Sequence, residues 1–179
     1  MSGQMIKMIW AEDSNRGIGF NARMPWHVPE DFVHFRRETM GSTVIMGRTS
    51  WDALPPSAKP LSGRKNIVIT HHLDDEIASS IKLSGGFVST FDDALGVAKN
   101  DNAYIIGGAK IYAAFMQYAS ELIITELDKA FEVDTFAPEI PDSFVVHSQG
   151  DWHKSKTGVN WRVVRYRLSK NAMNRDARQ

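Results

Sequence analysis

Short apolar runs alternate with helix-patterned stretches over most of this sequence, and that order constrains the fold more than any other feature. Residues 5–11, 43–46, 66–70, 103–106 and 121–128 read as strands. Asn66-Ile67-Val68-Ile69-Thr70 is continuously apolar, as expected of a strand covered on both faces. Between the strands, residues 29–40, 48–54, 90 to about 99, and 109–118 carry helical spacing. Thr90 with Asp93 has the form of a capping box, and Pro55-Pro56 stops the helix at 48–54. The last third has strand patterns without helices, at about 131–136, about 144–148, and 161–169. These imply an α/β fold: a doubly wound, mostly parallel central sheet of about eight strands, with an antiparallel C-terminal edge and about four flanking helices. Residues 73–88 are less regular and read as a strand near 81–83 and another near 87–88. The polar stretch 171–179 is expected to fray.

In open sheets of this class, ligands sit beyond the carboxyl ends of the strands. Those ends carry Trp10-Ala11, Gly47-Arg48-Thr49, Thr70-His71 and Gly107-Gly108. Composition narrows what such a site does. With 179 residues the chain is expected to form one domain over 1–179, with a full core. Lys plus Arg and Asp plus Glu both total 21, so charge gives no argument for a nucleic-acid or membrane partner. The cysteine count of zero removes disulfides, thiol catalysis and cysteine metal sites. The first residues show no signal-peptide core and no apolar run approaches bilayer length, so a cytoplasmic protein is expected. The six histidines lack metal-ligand spacing, and His71 and His72, being consecutive, are expected to point to opposite faces. No metal site is expected, and no GxSxG elbow is present.

The stretch Met24-Pro25-Trp26-His27-Val28-Pro29-Glu30-Asp31-Phe32-Val33-His34-Phe35 is the richest in chemistry. Pro29 suits a first helical turn, where its missing N–H would be unpaired anyway. On the helix that follows, Val28, Phe32, Phe35 and Thr39 share an arc, with Asp31 at its border. An acid in a first turn commonly serves the free N–H groups and the helix dipole, and Glu30 meets that need equally well. The sharper alternative is a desolvated Asp31 facing a pocket, with a raised pKa suited to managing a proton on a bound heterocycle.

Other constellations carry the same duality. Gly107-Gly108 between a strand and a helix is either a tight turn or an anion site made of helix N–H groups. Gly47-Arg48-Thr49-Ser50 repeats that logic, with a guanidinium able to grip phosphate. Arg64 is either a surface cation or a clamp for a substrate carboxylate. Thr125 is either ordinary strand packing or, facing inward, the hydroxyl partner of a buried acid such as Asp31. Gly17-Ile18-Gly19 sits in a loop from Glu12 to Asn21.

Taken in order, these segments resemble the dihydrofolate reductase family, of the bacterial monomeric type. The resemblance runs from about Met5 to about Leu168. It rests on Ile9-Trp10-Ala11, Gly17-Ile18-Gly19, Met24-Pro25-Trp26, Pro29-Glu30-Asp31-Phe32 with Phe35, and Val44-Ile45-Met46-Gly47-Arg48. Further along it rests on Pro60-Leu61-Ser62-Gly63-Arg64-Lys65-Asn66, Ile105-Ile106-Gly107-Gly108 with Tyr112, and Asp134-Thr135-Phe136-Ala137-Pro138.

The resemblance implies NADPH-dependent reduction of 7,8-dihydrofolate to 5,6,7,8-tetrahydrofolate. By that likeness Asp31 is the ionisable group of the pterin pocket, held by Thr125 and favouring protonation of N5, with hydride arriving at C6. Ile9, Trp10, Ala11, Phe32, Phe35, Leu61 and Ile106 would surround the substrate, and Arg64, helped by Arg36, would hold its glutamate carboxylate. Ala11, Ile18, Gly19 and Met24 would contact the cofactor from one side, and Gly47, Arg48, Thr49, Ser50, Thr70 and His71 from another. Gly107, Gly108, Ala109, Lys110, Ile111 and Tyr112 would complete its cradle, with a cis bond between the two glycines. Residues 15–24 resemble a lid that closes over nicotinamide. Antifolate inhibitors would compete for the pocket, and a monomer is implied. Three features depart from the family pattern: Ala109 replaces a third glycine, His71 replaces a small hydroxyl residue, and residues 55–59 lengthen a loop.

Two alternatives remain open from sequence. One is a different pterin or pyrimidine reductase on the same fold, such as the riboflavin-pathway enzyme, which would not need Asp31 with Phe35 or Arg64. The other is a nucleotide- or pterin-binding module without turnover.

Overall fold

The structure, a computed structural model, describes residues 5–176. The expected lack of a signal core falls partly on residues 1–4, which lie outside it, as do 177–179. The chain runs β1 (Ile6–Glu12), β2 (Gly17–Gly19), α1 (Pro29–Thr39), β3 (Thr43–Gly47), α2 (Arg48–Ala53) and β4 (Lys65–Ile69). It continues α3 (Glu76–Leu83), β5 (Phe87–Ser89), α4 (Phe91–Asn100), β6 (Ala103–Ile105) and α5 (Ala109–Phe115). The remainder is β7 (Glu121–Leu127), β8 (Thr135–Phe136), β9 (Phe144–Gln149), β10 (His153–Lys154), β11 (Asn160–Leu168) and α6 (Lys170–Asp176).

The main sheet has the order β10-β11-β7-β1-β6-β3-β4-β5, with β9 also paired to β11. From β7 to β5 every pairing is parallel, whereas β11 runs antiparallel to β7, β9 and β10. The expected mixed sheet with an antiparallel C-terminal edge is therefore what forms. Side chains alternate between its faces, as strand geometry requires. Met8, Ile45, Ile105, Leu122 and Ile124 pack on the face bearing α4 and α5. Ile9, Val44, Met46, Tyr104 and Ile123 pack on the other face, with Trp51 of α2, Ile81 of α3 and Phe35 of α1. Each such aliphatic chain withdrawn from water contributes about 1.5–3 kcal/mol. This double coverage fixes the strand ends, and therefore the site.

Several expectations are corrected. Residues 81–83 are not a strand but the end of α3. Asp75 caps that helix by accepting from the N–H groups of Ile77 and Ala78, and Ala78 and Ile81 bury one helical face. The strand expected over 131–136 shrinks to β8, because Phe131 N–H donates to Asp13 Oδ2 instead of entering a ladder. Within the loop 12–21, Gly17–Gly19 forms a strand paired with β8. The stretch expected to fray from 171 is helical through Asp176, opened by Ser169, whose carbonyl and hydroxyl both accept from Ala172 N–H. Past Phe115 the fifth helix tightens into a 3-10 turn, Met116–Tyr118.

Candidate active site

α1 begins at Pro29, after Val28, which is 1% exposed and anchors the entry into the helix. The two acids of its first turn then diverge. Glu30 turns outward and accepts from Ser155 Oγ at 2.7 Å and Lys156 N at 2.8 Å. Those bonds hold its carboxyl below the ordinary range. Asp31 turns inward, and Thr125 Oγ on β7 donates to its Oδ1 at 2.6 Å. Thr125 alternates with Ile124, so it lies on the sheet face that α1 covers, and only 2% of it is exposed. Burial raises the Asp31 pKa, while the Thr125 bond and the nearby His34 act in the opposite direction. Thr125 orients the carboxyl, and Asp31 lines the cavity.

That cavity holds about 1540 Å³. A pocket for one drug-sized ligand holds roughly 300–1,000 Å³, so this one has room for two molecules side by side. Every residue expected to contact substrate or cofactor lies in its wall. At the acid end stand Ile9, Trp10, Ala11, Asp31, Phe32, Phe35 and Thr125, with Leu61, Arg64 and Arg36 further out. Phe32, on the arc with buried Val28 and Thr39, is 49% exposed because it faces the cavity's open space. Arg64 donates to Ser62 O at 2.9 Å and Thr39 Oγ at 3.1 Å and lies over the Phe35 ring at 5.8 Å. Burial and then the Arg36 charge lower its pKa, so an anion seated between the two guanidinium groups would relieve both effects.

The other arm follows the carboxyl ends of β3, β4 and β6. Gly47, Arg48, Thr49 and Ser50 come from the β3–α2 junction, Thr70 and His71 from the end of β4. Gly107, Gly108, Ala109, Lys110, Ile111 and Tyr112 come from the β6–α5 junction, and Ile18, Gly19 and Met24 close the side. The Gly107–Gly108 bond is cis. Gly47 N–H donates to Gly107 O at 2.8 Å, joining the two strand ends. Gly107 has φ +119°, and a Cβ there would stand 3.2 Å from Tyr112 Oη and 3.4 Å from Ser50 Oγ. Tyr112 Oη donates to Ile9 O at 2.7 Å, and burial pushes its pKa up. Arg48 keeps a loose ion pair with Asp52 at 3.5 Å.

His71 and His72 both line the cavity, contrary to the expectation of opposite faces: β4 ends at Ile69, so strand alternation no longer applies to them. The sequence reading also missed Thr90, Phe91 and Asp92. The signal was the capping box at Thr90, since β5 pairs beside β4 and delivers the start of α4 to the same edge. Among the described residues, no three His, Asp or Glu side chains gather as metal ligands.

A cavity of this depth, crossing the strand ends of a doubly wound sheet with one desolvated carboxyl and two glycine junctions, defines a nucleotide-using enzyme site. The family description "Dihydrofolate reductase" matches residues 5–168. The chain is 44% identical over 163 residues to the dihydrofolate reductase of Neisseria gonorrhoeae, covering 90% of this chain and 96% of that one. It is 34% identical over 168 residues to the dihydrofolate reductase of Mycobacterium tuberculosis, covering 92% and 99%. An Enterococcus faecalis dihydrofolate reductase, solved with NADP(H) and RAB-propyl, superposes with a TM-score of 0.81 at 24% identity, over 93% of this chain and 97% of that one, and so shares its fold. This chain belongs to the dihydrofolate reductase family.

Proposed function

We propose that this chain reduces 7,8-dihydrofolate to 5,6,7,8-tetrahydrofolate with NADPH, as one domain acting as a cytoplasmic monomer. The observation that carries the proposal is the Asp31–Thr125 pair, a carboxyl withdrawn from water in the wall of an apolar cavity large enough for substrate and cofactor together. Membership of the family and the chemistry of the lining residues support the rest.

The cofactor arm fits a dinucleotide. Backbone N–H groups at Gly108–Lys110 and at Thr49–Ser50 suit pyrophosphate, and the glycines leave room that a Cβ would take. Arg48, His71 and Lys110 would sit nearest the phosphates, with Thr70 beside the adenosine. NADPH held there would supply the hydride for C6 of the dihydropterin.

The chain's own residues prepare the acceptor. The reaction reduces a C=N bond, and a proton on N5 makes C6 electrophilic. The Asp31 carboxylate would accept from the pterin amino group and ring N–H, and it favours the proton on N5. Thr125 fixes that carboxyl's orientation. Ile9, Phe32, Phe35, Leu61 and Ile106 exclude water around the ring, which strengthens the interaction. Arg64, aided by Arg36, binds the substrate's glutamate carboxylate. Residues 15–24 act as a lid, hinged where Arg16, Asn21 and Ala22 adopt φ of 64°, 49° and 60°. Asp13 and Asp134 anchor its ends by accepting from Gly17 N at 2.7 Å and Asn21 N at 3.0 Å. Antifolates that mimic the pterin compete at the acid end.

The test mixes purified protein with NADPH and dihydrofolate and follows the loss of nicotinamide absorbance. Steady oxidation dependent on dihydrofolate is expected, and its absence rejects the proposal.

A further inference from the structure

α1 turns a stripe of ionisable side chains, Asp31, His34 and Glu38, onto the strands beneath it, at helical spacings i, i+3 and i+7. Both ends of the stripe are tied down. Asp31 accepts from Thr125 on β7. Glu38 accepts from Arg165 on β11 at 2.6 Å and from Tyr104 Oη on β6 at 3.0 Å. His34, between them, is not tied: its Nε2 is buried and has no hydrogen-bond partner among the described residues. The same residue borders a second cavity of about 430 Å³, walled also by Glu30, Val33 and Arg37 of α1 and by Trp161 and Val163 of β11. Glu30, Val33, His34 and Arg37 line this second space whereas Asp31, Phe32, Phe35 and Arg36 line the substrate cavity, so the helix is a partition between the two. Val163 pairs with Thr125 in the sheet, which sets the second cavity one strand away from the anchor of Asp31.

We infer that His34 is a positioning residue for the Asp31 carboxyl: the imidazole competes for the same proton, and once charged it keeps Asp31 ionised, with the second cavity as its route to solvent. The inference rests on Asp31 being the acid of the reduction. Side chains at i and i+3 stand about 5–6 Å apart at Cβ, and inside a protein two charges at that range titrate as a coupled pair. Burial holds the His34 pKa below its ordinary value, Asp31 and Glu38 draw it back up, and Arg165 opposes them. His34 is the one charge partner beside Asp31, and it acts to lower the carboxyl's pKa. Around the second cavity the other charged or titratable groups are Glu30, Arg37, Asp151 and His153. Of the three acids on α1, Glu30 is committed to Ser155 and Lys156 and Glu38 to Arg165, which leaves Asp31 with His34 as its charge partner.

The test is a pair of NMR titrations on the full chain. The His34 ring, its signal assigned by through-bond connectivity to its own backbone, is followed in wild type and Asp31→Asn. The Asp31 carboxyl carbon is followed in wild type and His34→Gln. Removing the acid should lower the pH at which His34 titrates, and removing the imidazole should raise the pH at which Asp31 titrates. Because coupling is reciprocal, the shifts should be similar, on the order of one pH unit. In turnover, His34→Gln should move the pH-dependent limb upward in the same sense. A His34 used for packing alone would move neither titration. Either midpoint staying unchanged overturns the inference; if His34→Gln does not fold, the His34 titration in Asp31→Asn decides alone. Coupled titrations without any dihydrofolate turnover would reject the proposed reaction and leave the coupling standing.

Discussion

The two ends of the main cavity handle charge in opposite ways. At the acid end one carboxyl does it, withdrawn from water, with one oxygen fixed by Thr125 and apolar rings around it. Along the other arm, under the proposed function, the work would fall to many small contributions: backbone N–H groups after β3 and β6, Thr49, Ser50, Thr70, and the cations that line it. A group whose chemistry depends on desolvation cannot be duplicated, because a second charge beside it would change its pKa. An anion cradle can be redundant, since each dipole adds a little. The acid end should therefore be brittle and the cofactor arm forgiving.

The largest expected effect tests that contrast at its sharp end. Asp31→Asn should keep the Thr125 contact and the fold, and lower kcat at neutral pH by about 10²–10⁴-fold. It should also melt higher. Burial raises the Asp31 pKa in the folded state, so the native protein holds this proton more tightly than the unfolded chain. Stability is therefore lost as pH rises from the unfolded pKa through the raised one, and the deficit persists at neutral pH. Asn removes it, and the gain in Tm should vanish in strong acid. A variant that is less active and also less stable at pH 7 would break the claim of a strained, desolvated carboxyl.

Arg64→Leu comes next. It should raise KM for dihydrofolate by roughly 10- to 100-fold with kcat little changed, the value of a charge-assisted bond or two. A fall in kcat instead would place Arg64 in the chemistry. On the cofactor arm, Gly107→Ala should cost about 1–3 kcal/mol, measured by denaturant unfolding, because alanine resists φ +119° and its methyl meets Tyr112 and Ser50. The smallest effect sharpens the acid end: Thr125→Val should lower kcat by about tenfold. The Thr125 bond acts to lower the Asp31 pKa, so its loss should move the pH profile to higher pH.

The same contrast explains what was legible in the sequence. Strands that end in glycine and open a helix announce themselves locally, so β3–α2 and β6–α5 could be read directly, whereas their use for a cofactor was implied only by the resemblance. The Asp31–Thr125 pair spans ninety-four positions, and the sequence left open whether Thr125 faces in, naming Asp31 only as an acid its hydroxyl could then answer. α3 was missed because it is short, carries Ser79-Ser80, and declares itself only through the Asp75 cap. Thr90, Phe91 and Asp92 were missed because the capping box at Thr90 marks a helix start but not its place in the wall, which comes from β5 pairing beside β4. His34 looked like one more scattered histidine; nothing in its neighbours says that its Nε2 lies buried without a partner.

The most direct measurement is the pH dependence of single-turnover hydride transfer in wild type and Asp31→Asn, with saturating NADPH and dihydrofolate. The wild-type rate should be highest below the elevated Asp31 pKa and fall as pH rises through it, and Asp31→Asn should be slow with that break gone. A wild-type break that survives unchanged in Asp31→Asn, at an undiminished rate, would contradict the assignment of the proton to this carboxyl.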